Sequence, residues 1–134
     1  MSTKQFTIIG SFFANGVFLD NNYLYFDLPD SELETIEKLI LDEFNTLKFK
    51  KVKSKKKTTS LYYSSKEFKA FLINAMSDVF NLFNSIPQEE FYSLVIGFGK
   101  GITINSVEKL NILCEILDKK NISYKRNQME INFS

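Results

Sequence analysis

Seven lysines fall within ten residues, Lys48, Lys50, Lys51, Lys53, Lys55, Lys56 and Lys57, and Tyr62 and Tyr63 follow them. Ammonium groups at this density could neutralise phosphates while the tyrosine rings stack on bases. The same pattern also serves to keep a loop tip solvated and an exposed sheet edge from pairing with another chain. The single arginine, Arg126, lies elsewhere, so the cluster lacks the side chain best suited to bidentate recognition of phosphate or guanine. A second group has the opposite sign: Asp27, Asp30, Glu32, Glu34, Glu37, Asp42 and Glu43. Carboxylates in such number could occupy a partner's phosphate-binding surface, or simply cap a helix and cover its polar face.

Other chemistry is excluded by residue type. There is no histidine and only one cysteine, Cys114, which rules out Ser-His-Asp and Cys-His catalysis and a zinc thiolate cage. No metal ligand set and no cofactor is expected. Gly97, Gly99 and Gly101 surround Phe98 and Lys100, but the spacing is not that of a dinucleotide fingerprint and no Lys-Ser/Thr pair follows. These glycines read as bulge or turn positions at a sheet bend. Adjacent acids such as Glu89 and Glu90 point in different directions on any regular element and make no acid/base pair. Cys114 falls on the apolar side of a helical pattern and reads as core.

The elements that would carry these groups follow from periodicity and turn chemistry. Residues 5–13 and 17–28 are rich in β-branched and aromatic types around Asn15-Gly16, which predicts a hairpin. Asn21-Asn22 offers a second turn. Ser31 and Glu34 have capping-box spacing, and Leu33, Ile36, Ile40, Phe44 and Leu47 share one face of a helix over 31–46. A hairpin over 47–63 places the lysines on one strand and its tip. A long apolar helix is predicted over 65–84, a buried strand over 91–98, a short strand at 102–104, a helix over 106–120, and a terminal hairpin over 122–133.

The 134 residues, 44% hydrophobic and 25% charged, suit one compact domain spanning 1–134. The expected class is α+β: a mostly antiparallel sheet built from hairpins, with about three helices packed on one face. Lone Cys114, the absence of an N-terminal apolar stretch and of any membrane-length apolar run predict a cytoplasmic chain with no membrane partner. Charge is strongly segregated: residues 1–45 carry eight acids against two lysines, and residues 46–69 carry nine lysines against one acid.

Segregated charge, abundant Phe and Tyr and no catalytic set predict a small non-catalytic protein-binding module. The specific expectation is an immunity- or antitoxin-type inhibitor that occludes a toxin or a nucleic-acid-processing enzyme, using an acidic face of Asp27, Asp30, Glu34 and Glu37. The alternative is a nucleic-acid-binding protein using the basic hairpin at 48–57, through Lys50, Lys51, Lys53, Lys55, Lys56 and Lys57 with Tyr62.

Overall fold

A computed structural model describes residues 1–133. Its first helix, α1 (Thr3–Asn15), begins where Ser2 accepts the Gln5 amide while the Gln5 side chain returns to the Ser2 amide, a complete capping box. The chain continues through β1 (Gly16–Phe18), β2 (Tyr23–Pro29), α2 (Leu33–Phe44), β3 (Lys48–Lys55), β4 (Thr58–Ser64), α3 (Lys66–Met76) and α4 (Val79–Ser85). It ends with α5 (Gln88–Phe98), β5 (Gly101–Thr103), α6 (Val107–Lys119), β6 (Tyr124–Asn127) and β7 (Glu130–Phe133). The α+β class and the antiparallel pairing expected from the sequence are present, as two sheets of order β1-β2-β4-β3 and β5-β7-β6.

Three expectations about elements are corrected. Residues 5–13 and 91–98, expected as strands, are the helices α1 and α5, so Asn15-Gly16 is a helix end and not a hairpin turn. The long helix expected over 65–84 breaks at Ser77-Asp78 into α3 and α4. The Ser31–Glu34 capping box does not form; Glu32 occupies the N-cap of α2 with no side-chain cap hydrogen bond. Six helices therefore stand among the described residues where about three were expected.

A helix, one or two strands, a second helix and a hairpin follow one another twice, as α1-β1-β2-α2-β3-β4 and α5-β5-α6-β6-β7, with α3 and α4 between them. The two opening helices pack directly on each other. A Cβ on Gly10 would lie 2.2 Å from the Leu94 carbonyl oxygen, and one on Gly97 would lie 2.0 Å from that of Thr7. Glycine at both positions lets the two backbones touch. Helix α1 consequently has apolar neighbours on two sides. Ile8 and Phe12 join Leu24, Phe26, Leu28, Leu61 and Phe68 in a core behind the first sheet. Phe6 and Ile9 join Phe83, Phe91, Leu113 and Ile131 in a second core beneath the other sheet.

Candidate nucleic-acid interface

Strand alternation divides the first sheet into two faces. Leu24, Phe26 and Leu28 of β2 and Leu61 and Tyr63 of β4 point inward and are buried. The register pairs Tyr25 with Tyr62 and Asp27 with Ser60 on the opposite face, where β3 adds Lys50 opposite Tyr62 and Val52 opposite Ser60. A register shift between Lys48 and Lys50 turns Phe49 onto this outer face too, where its ring lies edge-on to Tyr23 at 5.2 Å and to Tyr62 at 6.0 Å. Tyr25 and Tyr62 stack at 5.0 Å, and the Lys50 ammonium sits over the Tyr62 ring at 5.4 Å. Among the described residues no helix covers this face: Phe49 is 53% exposed, Tyr23 39% and Val17 42%. A connected group of exposed rings beside uncompensated cations is characteristic of a binding face.

The two charge clusters of the sequence meet in space and largely cancel. Glu37 of α2 takes Lys48 at 2.5 Å and Lys51 at 3.3 Å. Asp30 takes Lys53 and accepts the Thr59 hydroxyl at 2.8 Å. Burial alone would raise the Glu37 carboxyl, but the two lysines hold it below its ordinary value. Hydrogen bonds from Lys53 and Thr59 lower Asp30 in the same way. Asp27 lies on the outer face of the sheet, where it accepts the Ser54 and Ser60 hydroxyls at 2.6 and 3.1 Å. Glu34 is exposed on α2. The four acids proposed as one face are thus divided between the two sides of the sheet and the helix beside it.

Of the six lysines predicted in the basic hairpin, Lys51 and Lys53 are engaged by acids. Lys50, Lys55, Lys56 and Lys57 have no ion-pair partner among the described residues. They lie on the outer face or at the hairpin tip, together with Tyr62. The exposed rings of Phe49 and Tyr23 were missed in the sequence, because the bulge that aims Phe49 outward breaks strict alternation. Lys69 was missed as well. Almost buried, it donates to the carbonyl oxygens of Leu19 and Asn21, tying α3 to the β1–β2 turn that delivers Tyr23 to the face. Asn21 takes φ 58° in that turn, a conformation asparagine tolerates well, so Asn21-Asn22 does turn the chain.

A separate cleft opens where the ends of α1 and α5 converge, lined by Asn15, Asp30, Glu32, Lys57, Phe98 and Lys100 among others. Burial raises the Glu32 carboxyl, and Lys100 partly offsets that. The glycines expected at a sheet bend sit at this end, with one correction: Gly97 is inside α5, packed on α1, while Gly99 (φ 75°) caps that helix and Gly101 opens β5.

The sequence matches no known family profile and no functionally characterised protein. Its fold, two sheets beneath a pair of close-packed central helices, does have solved counterparts. Mesophilic variants of the homing endonuclease I-DmoI superpose with a TM-score of 0.66 at 13% identity, over 98% of this chain and 83% of that one. I-DmoI in complex with DNA and Mn gives 0.66 at 14%, over 98% and 89%. Full-length DUF199/WhiA from Thermotoga maritima gives 0.64 at 14%, over 98% of this chain and 51% of that one. At these identities the likeness is one of fold.

That likeness overturns the expectation of an immunity- or antitoxin-type inhibitor. The architecture is shared with an endonuclease solved on DNA and with WhiA. Because one neighbour is an enzyme, the fold by itself does not make the chain non-catalytic. No helix among the described residues is long and apolar enough to cross a membrane.

I-DmoI is solved in complex with DNA and Mn, in complex with DNA and Ca, and on its target DNA in the presence of Mg. The residues of the present chain do not fit a divalent cation in the cleft between the helix ends. Asp30 is already held by Lys53 and Thr59, Glu32 faces the Lys100 ammonium, and Lys57 adds a second positive charge. Nowhere among the described residues do three His, Cys, Asp or Glu side chains group as ligands would.

Proposed function

We propose that the chain is a nucleic-acid-binding protein that grips its ligand with the β3–β4 hairpin and the outer face of the first sheet, and that it does not cleave it. One observation carries this reading. After Glu37 and Asp30 have neutralised the inward-facing lysines, Lys50, Lys55, Lys56 and Lys57 remain uncompensated beside an open aromatic surface. A two-stranded ribbon of this kind is an established way for a protein to enter a groove or follow a phosphate backbone. The binding of DNA by I-DmoI supports the reading. The cytoplasmic location expected from the sequence suits it. The absence of cleavage rests on the ammonium-rich cleft at the helix ends and on a chain without histidine.

Equilibrium binding to a fluorescent oligonucleotide across a salt series tests the proposal. Affinity should fall steeply with salt. The triple change Lys55→Ala, Lys56→Ala, Lys57→Ala should weaken it and flatten the log–log slope by roughly 2–3, at about 0.7–0.9 for each phosphate no longer neutralised. An unchanged slope in the triple variant would remove the hairpin from the interface. Strand scission above the buffer background in Mg or Mn would overturn the non-cleaving half of the proposal.

A further inference from the structure

The outer face of the first sheet has the wrong side chains for reading base-pair edges and suitable ones for stacking. Edge readout in a duplex uses Arg or Lys on guanine, Asn or Gln on adenine, Asp or Glu on cytosine, and Ser or Thr on either; the one acid on this face, Asp27, is already taken by the Ser54 and Ser60 hydroxyls. The four strands of this sheet contain no Arg, Asn or Gln at all. The hydroxyls of Ser54 and Ser60 are engaged by Asp27, and Lys50 is held over the Tyr62 ring. What the face does present is a connected group of rings, Tyr23, Phe49, Tyr62 and Tyr25. Phe49, the most exposed of them, projects from an edge strand with open solvent before it.

Bases inside a duplex are already stacked on each other and cannot use such a surface. Unpaired bases can, because every base has a π-face and stacking needs no particular sequence. The charges are placed to match. Lys50 lies beside the rings, and the tip lysines follow about four residues further along the strands, roughly 13 Å away, where the flanking phosphates of a strand anchored on the rings would pass.

We infer that the first sheet is a stacking platform for the unpaired bases of a single-stranded nucleic acid, with Phe49 and Tyr23 as base-stacking residues and Lys50 and the hairpin tip as phosphate contacts. This inference rests on the nucleic-acid reading above and narrows it.

Binding of the full chain to one sequence presented as single-stranded DNA, single-stranded RNA and duplex DNA tests the inference. The chain has no tryptophan, and three of its six tyrosines, Tyr23, Tyr25 and Tyr62, lie on this face, so tyrosine emission responds to stacking there. At least one single strand should bind about tenfold or more tighter than the duplex and quench that emission. The stronger arm then identifies DNA or RNA as the source of the bases. Phe49→Leu keeps an apolar side chain on an exposed site and removes the ring. It should cost about 5- to 150-fold in single-strand affinity while leaving the circular dichroism spectrum unchanged. Tyr23→Leu should behave in the same way. Duplex binding equal to or tighter than single-strand binding, or single-strand binding indifferent to both leucine variants, overturns the platform and leaves the nucleic-acid reading standing. Failure to bind any of the three ligands overturns both.

Discussion

Glu32 and Glu37 lie five residues apart on either side of the start of α2, and their surroundings push them in opposite directions. Lys48 and Lys51 hold Glu37 below its ordinary value of 4.5, whereas burial raises Glu32 above it. A carboxyl lowered on folding contributes stability that is present above its unfolded value and lost as pH falls through the folded one. A raised carboxyl does the reverse and weakens the fold once it ionises. Glu37→Gln should therefore lower Tm at pH 7 by the few degrees that about 1 kcal/mol represents, and the difference should shrink as pH falls through the lowered folded value. Glu32→Gln should raise Tm at pH 7 and do nothing near pH 3. Calorimetry at the two pH values checks both; a Glu37 effect that persists in acid would mean that packing, not charge, is what the glutamate supplies. The same residues show how far charge could be read in sequence. The counts of acids and lysines were plain, but their mutual pairing was not, because Glu37 reaches Lys51 only after α2 has folded back over β3. Segregation along the chain became neutralisation in space, and only the lysines beyond reach of an acid remained for a partner.

At the scale of elements, α1 and α5 decide the architecture, and both read as strands in the sequence. Gln5-Phe-Thr-Ile-Ile and Phe91-Tyr-Ser-Leu-Val are β-branched and aromatic, the composition of a buried strand. A helix with apolar neighbours on two sides loses the single-face periodicity that would reveal it, and a short apolar run is then ambiguous. The decisive signals were at the ends: Ser2 and Gln5 at capping-box spacing, and Pro87 before Gln88-Glu89-Glu90, an N-terminal turn with acids where the helix dipole favours them. Helix α6 was legible because it has one apolar face and one wet one, and the two hairpins because β-rich or alternating runs flank a polar turn. Gly10 and Gly97 carry the packing of the helix pair. Gly97→Ala would push a methyl group into the Thr7 carbonyl and the Ser11 amide, 2.0 and 2.8 Å away, and neither backbone can yield without separating the helices. A loss of about 3 kcal/mol is expected, measured by urea denaturation. A loss below about 1 kcal/mol would show that the helices can slide apart without cost to the two cores.

For the whole molecule the question is whether the two α–β units behave as one body. Each has its own sheet and its own core, which would ordinarily permit independent unfolding. Helix α1 argues against it, since Ile8 and Phe12 belong to one core and Phe6 and Ile9 to the other, only a turn apart. Phe71 and Met76 of α3 also pack against both. Losing either core removes one side of α1 and, through Gly10 and Gly97, its packing on α5. Unfolding should accordingly be a single transition. Two probes weight the halves differently: tyrosine emission, four of whose six sources (Tyr23, Tyr25, Tyr62 and Tyr63) lie in the first sheet with Tyr92 and Tyr124 in the second unit, and the reactivity of Cys114, buried in the second core. Their urea midpoints should coincide. Phe83→Ala, made in the second core alone, should cost about 3–5 kcal/mol and move both midpoints together. If Cys114 becomes reactive at a urea concentration that leaves the tyrosine signal native, the units are separable and the binding sheet is a foldable module in its own right. A shared shift would instead mean that the paired helices hold the outer face of the first sheet rigid, so that its rings are already placed when a ligand arrives.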